Sequence, residues 1–126
     1  MNKMTDLFQK IDFISHSGLP LTWKIECDGI SSDEWVALAH IIREYEKRNW
    51  QYAIGIPRGG VKLAKELDKY STNDINDPIL IVDDVYTTGR SFRDFSENFV
   101  DSEIIKWCVF ARKPIQEDVN ALFTMP

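Results

Sequence analysis

The stretch ILIVDDVYTTGRS, residues 79–91, decides the fold of this chain. Its four consecutive branched aliphatic residues are typical of a strand buried on both faces, as in the middle of a parallel sheet. An acidic pair follows directly, and the segment then changes to hydroxyl-bearing residues and a glycine. The pattern predicts a buried strand over 79–82, a polar loop over 83–89 and an amphipathic helix over 91–99.

Strand and helix patterns alternate on both sides of this stretch. Further strands are predicted at 22–27, 52–56 and 104–111. Further helices are predicted at 5–15 and at 61–67. Another helix is predicted to begin at the capping box of Ser31 and Glu34. The chain after residue 111 is predicted to be a short tail.

The alternation predicts the α/β class, with a three-layer α/β/α architecture and a mostly parallel central sheet. We expect one domain over 1–126, made of an amino-terminal segment, 1–30, and a core, 31–113. In such sheets ligands bind at the carboxyl ends of the strands, which here means the loops after residues 56, 82 and 111.

Composition excludes several classes of protein. The chain has 126 residues, 44% of them apolar and 28% charged, with a net charge of −5. The negative charge gives no general attraction for nucleic acid, and no apolar run is long enough for a membrane span or a signal peptide. We therefore expect a cytoplasmic protein. Cys27 and Cys108 each lie in an apolar run and are predicted to be reduced core thiols.

The acidic pair Asp83 and Asp84 carries the first candidate chemistry. A buried strand holds its last residues rigidly, and carboxylate oxygens suit the paired hydroxyls of a sugar or a hydrated Mg²⁺ ion. The next residues form a potential anion cradle of hydroxyls, backbone N–H groups and a helix start: Thr87, Thr88, Gly89, Arg90 and Ser91. Together they describe a site for a ribose 5-phosphate. The alternative is an acidic turn that caps an ordinary helix.

A second loop, IGIPRGG at 54–60, is also a candidate anion-binding loop. Paired glycines, Gly59 and Gly60, let a backbone approach an anion closely, and Arg58 can add charge-assisted hydrogen bonds to phosphate. A purely structural turn is the alternative. Together the two motifs are a much stronger signal of an anion site than either alone.

Residues 79–91 resemble the signature of the type I phosphoribosyltransferases. The resemblance implies that phosphoribosyl pyrophosphate and Mg²⁺ bind here. Asp83 and Asp84 would contact the ribose hydroxyls, and the metal indirectly, while residues 87–91 would wrap the 5′-phosphate. The IGIPRGG loop resembles the family's pyrophosphate loop, which often holds a cis peptide. By the same resemblance, Arg58, Asp83 and Asp84 would be catalytic.

The segment FISHSG, 13–18, is similar to the orotate phosphoribosyltransferase branch, with His16 in place of a basic residue. Lys24 and Arg112 lie where that branch contacts its base. Thr87 stands where enzymes for 6-oxopurines usually have an aspartate, which favours an orotate-like or other pyrimidine base. Three aromatic residues are predicted to be core, with a stacking role as the alternative: Trp35, Trp107 and Phe110.

The chain also departs from the family. Relatives have another strand and a long mobile loop between the two phosphate loops, and orotate enzymes place a catalytic lysine there. Here the connector 68–77 is too short for that loop and carries only Lys69. The resemblance implies a compact fold with a shortened mobile loop and transfer of phosphoribose to a nitrogenous base. The alternatives are a non-catalytic regulatory module and a phosphoribosyl pyrophosphate hydrolase. The resemblance is also compatible with a homodimer whose interface would include Tyr45, Trp50 and Tyr70.

Overall fold

The computed structural model of the protein describes residues 8–9, 13–14, 20–21, 24–25, 27–115 and 118–126. The described residues of the amino-terminal segment form four two-residue strands: β1 (Phe8–Gln9), β2 (Phe13–Ile14), β3 (Pro20–Leu21) and β4 (Lys24–Ile25). β1 pairs antiparallel with β4, and β2 pairs antiparallel with β3. The helix predicted at 5–15 is therefore wrong where the structure describes it. A short isolated helix is marginal, and the aromatic and β-branched residues of this segment favour extended pairing.

The strand predicted at 22–27 is described at two residues, which form β4, and it is wrong at Cys27, which begins a 3₁₀ turn, Cys27–Gly29. The next helix, α1 (Ser32–Tyr45), begins at the predicted capping box. The Glu34 backbone N–H donates to Ser31 Oγ at 3.2 Å, and the Ser31 N–H donates to Glu34 Oε1 at 2.7 Å. The local sequence thus fixes where α1 starts.

Four parallel strands form the central sheet, and each pairs with the next one along the chain. They are β5 (Ala53–Gly55), β6 (Ile79–Tyr86), β7 (Ile104–Arg112) and β8 (Asn120–Met125), in the order β5-β6-β7-β8. β8 occupies the region predicted to be a tail. Its parallel pairing with β7 is a contact between distant parts of the chain, and the local sequence does not predict it.

The strand β6 is twice as long as predicted. The loop predicted at 83–89 is wrong in its first half, because Asp83 pairs with Cys108 and Tyr86 pairs with Ala111. The nine-residue β7 offers β6 a partner along its whole length, so the acidic pair lies inside the strand. A backbone with a ladder partner stays extended even where its side chains become polar.

In the part of the chain that the structure describes, two α-helices besides α1 flank the sheet. α2 (Val61–Leu67) has the predicted bounds, and α3 (Arg90–Ser96) continues into a 3₁₀ turn, Glu97–Phe99. Among the described residues, no helix is long and apolar enough to cross a membrane.

The helices lie on opposite faces of the sheet. Buried residues of α1 and α2 share one hydrophobic cluster with Leu80 and Val82 of β6, whereas Phe92 of α3 shares another cluster with Ile79 and Ile81. Successive strand residues point to opposite faces, so the two clusters mark the two faces. This confirms the three-layer α/β/α architecture. Three predicted core aromatic residues all belong to the first cluster: Trp35, Trp107 and Phe110.

The two helical crossovers are of opposite hand. The connections β5-α2-β6 and β6-α3-β7 both move one strand in the same direction across a parallel sheet, yet their helices lie on opposite faces. Nearly all such connections in proteins are right-handed, so one of these two is of the unusual left-handed kind.

The connector between α2 and β6 contains no strand. A 3₁₀ turn, Asp68–Tyr70, follows α2, and the chain then returns past Trp50 through hydrogen bonds from Thr72 to the Trp50 carbonyl. Residues 61–78 are all described, so the predicted shortening of this region is confirmed. Trp50 is only 1% exposed and donates its indole N–H to the Leu67 carbonyl, so its predicted place at an interface is wrong.

Candidate functional site

The first of two neighbouring cavities lies at the carboxyl ends of β5 and β6. Its volume is about 510 Å³. It is lined by the loop after β5, the end of β6 and the start of α3: Ile56, Pro57, Arg58, Gly59 and residues 83–92. The structure therefore brings both predicted anion loops and the acidic pair into a single cavity.

The acidic pair is held by its own backbone. Asp83 Oδ1 accepts from the Asp84 N–H at 2.8 Å, and Asp84 Oδ1 accepts from the Val85 N–H at 2.8 Å. Asp83 is 7% exposed, and burial together with the hydrogen bond and the charge of Asp84 raises its pKa to about 8. At neutral pH Asp83 therefore tends to keep its proton, which gives its carboxyl group a donor as well as an acceptor.

The acidic pair spans the sheet. Alternation along β6 places Asp83 on the face of α3, beside Cys108 of β7, and Asp84 on the face of α2, beside Gly59. Burial, followed by the charges of the two aspartates, raises the pKa of the Cys108 thiol, so this core cysteine stays protonated.

The loop from Thr87 to Ser91 turns the chain from β6 into α3. Gly89 has φ 83°, a left-handed conformation that favours glycine. The Arg90 N–H approaches Thr88 Oγ1 at 3.4 Å, and the Arg90 side chain lies 3.6 Å from Asp94. Arg93 Nη1 donates to the Thr88 carbonyl at 3.2 Å, so a helix side chain ties the loop to α3.

The loop after β5 packs directly on the end of β6. The Pro57–Arg58 peptide bond is cis, as the resemblance to the pyrophosphate loop implied. The Ile56 N–H donates to the Val82 carbonyl at 2.9 Å, and the Gly60 N–H donates to the Ile56 carbonyl at 2.9 Å. A Cβ atom on Gly59 would overlap the Asp84 carboxylate. Glycine at 59 therefore lets the loop approach the acidic pair.

A second cavity, of about 600 Å³, lies on the other side of the Pro57–Gly59 loop. Its lining residues shared with the first cavity are Pro57, Arg58, Gly59 and Asp84. Its remaining lining residues are Cys27, Trp35, Val61 and Lys62. The two cavities thus adjoin each other across the same loop.

Some predicted site residues lie elsewhere. Arg112 ends β7 and lines neither of these two cavities. Lys69 binds Glu66 at 2.6 Å and is also outside both. Lys24 lies in β4, but its side chain is outside the described residues, as is all of His16.

Three residues with a place at the site were missed by the sequence analysis. Arg93 holds the loop of residues 87–91 through the Thr88 carbonyl, Lys62 lines the second cavity, and Tyr86 packs on Phe92 with ring centroids 6.3 Å apart. The basic residues carry no local signal, because exposed arginines and lysines are common on any helix. Tyr86 was missed because residues 83–89 were predicted to be a loop, whereas Tyr86 is the last residue of β6.

The carboxylates at the site fit a magnesium ion that is held partly by the protein and partly by the phosphates of a bound substrate. Among the described residues, no group of three or more His, Cys, Asp or Glu side chains is placed to hold a metal by itself. Mg²⁺ is usually bound by one or two carboxylates plus substrate phosphates and water. Asp83 and Asp84 meet that requirement.

Comparison with known proteins identifies the fold. No protein-family profile matches the chain, and no curated protein matches its sequence. Solved structures do match. The chain is similar to orotate phosphoribosyltransferase from Aeropyrum pernix, with a TM-score of 0.73 and 17% identity over 94% of this chain and 88% of that one.

Two further solved structures are also similar to the chain. Orotate phosphoribosyltransferase from Mycobacterium tuberculosis, in complex with inorganic phosphate, gives a TM-score of 0.71 at 12% identity and covers 92% of this chain and 87% of that one. Purine phosphoribosyltransferase from Pyrococcus horikoshii gives 0.55 at 23% identity, over 75% of this chain and 82% of that one. The chain therefore has the α/β fold of the type I phosphoribosyltransferases.

Proposed function

We propose that this chain, which shares its fold with the type I phosphoribosyltransferases, binds phosphoribosyl pyrophosphate and transfers its phosphoribosyl group to a nitrogenous base. One observation carries the proposal. Asp83, Asp84, residues 87–91 and the Pro57–Gly59 loop line the same cavity. A sugar diol and two phosphate groups are the chemistry that such a set of residues recognises.

In the proposed reaction a ring nitrogen of the base forms a bond to C1 of the ribose while the bond from C1 to the pyrophosphate oxygen breaks. The electron pair of the broken bond leaves with pyrophosphate, and the nitrogen loses its proton to solvent. The protein acts by positioning and electrostatics. Arg58 binds the leaving pyrophosphate, Asp83 and Asp84 hold the ribose hydroxyls, and the loop of residues 87–91 binds the 5′-phosphate.

Mg²⁺ is part of the proposal, since a bound ion would neutralise charge on the pyrophosphate. Asp83 and Asp84 would hold it through water or the ribose hydroxyls. Thr87, two residues before Gly89, favours an orotate-like or other pyrimidine base, with Lys24 and Arg112 as the predicted base contacts. The cytoplasmic location and the homodimer also stay predictions.

The short connector favours two alternatives. Residues 61–78 hold α2, one 3₁₀ turn and an irregular return, with no long loop to close over the two cavities. A closing loop usually excludes water from a reactive intermediate. An open site suits a hydrolase, in which water attacks C1 and pyrophosphate leaves, or a regulatory module that binds the ligand without turnover.

Release of pyrophosphate separates these functions. The purified protein is incubated with phosphoribosyl pyrophosphate and Mg²⁺, with and without a panel of free bases that includes orotate and uracil. Release that requires a base supports the transferase. Pyrophosphate release at the same rate with and without a base supports the hydrolase. Saturable binding without release supports the regulatory module.

A variant tests the site itself. Asp83→Asn combined with Asp84→Asn should abolish the thermal stabilisation that phosphoribosyl pyrophosphate and Mg²⁺ give the wild type. The matched control is Asp101→Asn with Asp118→Asn, which removes two exposed carboxylates outside both cavities. If the site variant is stabilised as strongly as the control, the assignment of the acidic pair to the ribose is wrong.

A further inference from the structure

We propose that Arg93 is a positioning residue for the 5′-phosphate, because by holding the Thr88 carbonyl it turns the Gly89 N–H towards the first cavity. The inference rests on the proposed function and adds to it a side chain outside both sequence motifs. Arg93 lies on α3 and does not line the first cavity, whereas Thr88 and Gly89 both do. Arg93 therefore acts on the ligand through the loop and not by contact.

Arg93 holds two consecutive carbonyl groups of the loop. Its Nη1 donates to the Thr88 carbonyl at 3.2 Å, and its backbone N–H donates to the Gly89 carbonyl at 3.0 Å. On the other side of the same residue, Thr88 Oγ1 lies 3.4 Å from the Arg90 nitrogen. These contacts fix the orientation of the peptide group between Thr88 and Gly89.

The planarity of this peptide group converts the contact with Arg93 into a direction. The Thr88–Gly89 bond is trans, so its C=O and its N–H point in opposite directions. The carbonyl points to Arg93, outside the first cavity, and the Gly89 N–H therefore points away from Arg93, towards the cavity that Gly89 lines. A backbone N–H that is fixed in this direction is a ready donor to a phosphate oxygen.

The guanidinium group of Arg93 is well suited to this task. It only donates hydrogen bonds, and it keeps its charge throughout the physiological pH range. A cation on the carbonyl oxygen polarises the peptide group, which strengthens its N–H as a donor. Without the Arg93 side chain the peptide group would be less restrained in the free protein, and ligand binding would have to restore its orientation at a cost in affinity.

Calorimetry with two probes and three variants tests the inference. Ribose 5-phosphate probes the loop of residues 87–91, and inorganic pyrophosphate with Mg²⁺ probes the Pro57–Gly59 loop. Arg93→Ala removes the side-chain donor, and Arg93→Lys keeps a charged donor. Lys65→Ala is the control, because Lys65 is an exposed cation on α2 that lines neither cavity.

We expect Arg93→Ala to weaken the binding of ribose 5-phosphate about fivefold to tenfold and to leave pyrophosphate affinity unchanged. The loss should persist at high salt, because salt screens exposed charges but does not restore the orientation of a peptide group. Arg93→Lys should recover most of the affinity, and Lys65→Ala should change nothing. In NMR spectra of the wild type, ribose 5-phosphate should shift the Gly89 amide resonance, and Arg93→Ala should lose most of that shift.

The outcomes separate the inference from the proposed function. If ribose 5-phosphate binds equally well to the wild type and to Arg93→Ala, the inference is overturned and the proposed function stands. A loss of affinity that disappears at high salt means that Arg93 acts only by its charge, and equal losses for both probes mean general damage to the fold. Either result also overturns the inference. If the wild type does not bind ribose 5-phosphate, the proposed function itself fails.

Discussion

Replacing Asp83 by asparagine should stabilise the fold at alkaline pH. Asp83 is buried against the charge of Asp84, and these surroundings raise its pKa to about 8 from an ordinary value of 3.8. A carboxyl group with a raised pKa in the folded state binds its proton more tightly there than in the unfolded chain. Its stability contribution is therefore full below about pH 4 and is lost progressively as the pH rises towards about 8.

The expected magnitude follows from this difference in pKa. One pKa unit corresponds to about 1.4 kcal/mol, and the cavity beside Asp83 gives its carboxylate some access to water. We therefore expect Asp83→Asn to be about 2 kcal/mol more stable than the wild type at pH 8.5. The amide keeps the oxygen that accepts from the Asp84 N–H, and it can donate to the Asp84 carboxylate. For a chain of this size the gain equals roughly 5–10 °C in Tm.

Thermal unfolding from pH 5.5 to 8.5 in magnesium-free buffer measures the effect. The Tm difference between Asp83→Asn and the wild type should widen as the pH rises, whereas Asp101→Asn, which removes an exposed carboxylate, should follow the wild type. Parallel curves for all three proteins, or a variant that is less stable than the wild type at pH 8.5, would refute the reasoning.

Two further substitutions test contacts that stabilise the fold. Gly60→Ala should destabilise the fold by about 2 kcal/mol in denaturant unfolding, because the added Cβ would overlap the Val82 carbonyl and the Ile56 nitrogen. The control Lys65→Ala, on the exposed side of α2, should stay within about 0.5 kcal/mol of wild type. Glu46→Gln should lower stability at pH 7 but not in acid. Burial opposes ionisation of Glu46, yet hydrogen bonds from Trp107 and Arg48 outweigh it and lower its pKa below the ordinary 4.5. The stabilisation by Glu46 is therefore lost as the pH falls below that value, and urea unfolding at pH 7 and pH 3 should show the gap close; an equal gap at both would contradict this account.

Local sequence predicted the elements whose boundaries are set by local chemistry. α1 begins where Ser31 and Glu34 cap it, and α2 has its predicted bounds after the Gly59-Gly60 turn. The acidic pair and both loops were placed together correctly, because parallel strands bring their carboxyl ends to one edge. These features depend on neighbours a few residues apart.

Elements that depend on distant partners were missed. β8 exists because β7 offers it a parallel edge, and the last half of β6 is extended because Cys108 and Ala111 pair with it. The second cavity escaped prediction for the same reason, since Trp35 and Lys62 are far apart in the chain and meet only when α1 and α2 pack together. Periodicity identifies a buried face but not what lies opposite it.

The placement of α2 and α3 on opposite faces has a consequence for how the site can evolve. The helix α2 packs on one hydrophobic cluster and α3 packs on the other, but Ile56, where the loop to α2 begins, belongs to the cluster of α3. Substitutions in the cluster behind α2 should therefore affect mainly the loop of residues 57–60, whereas substitutions in the cluster of α3 should affect both loops.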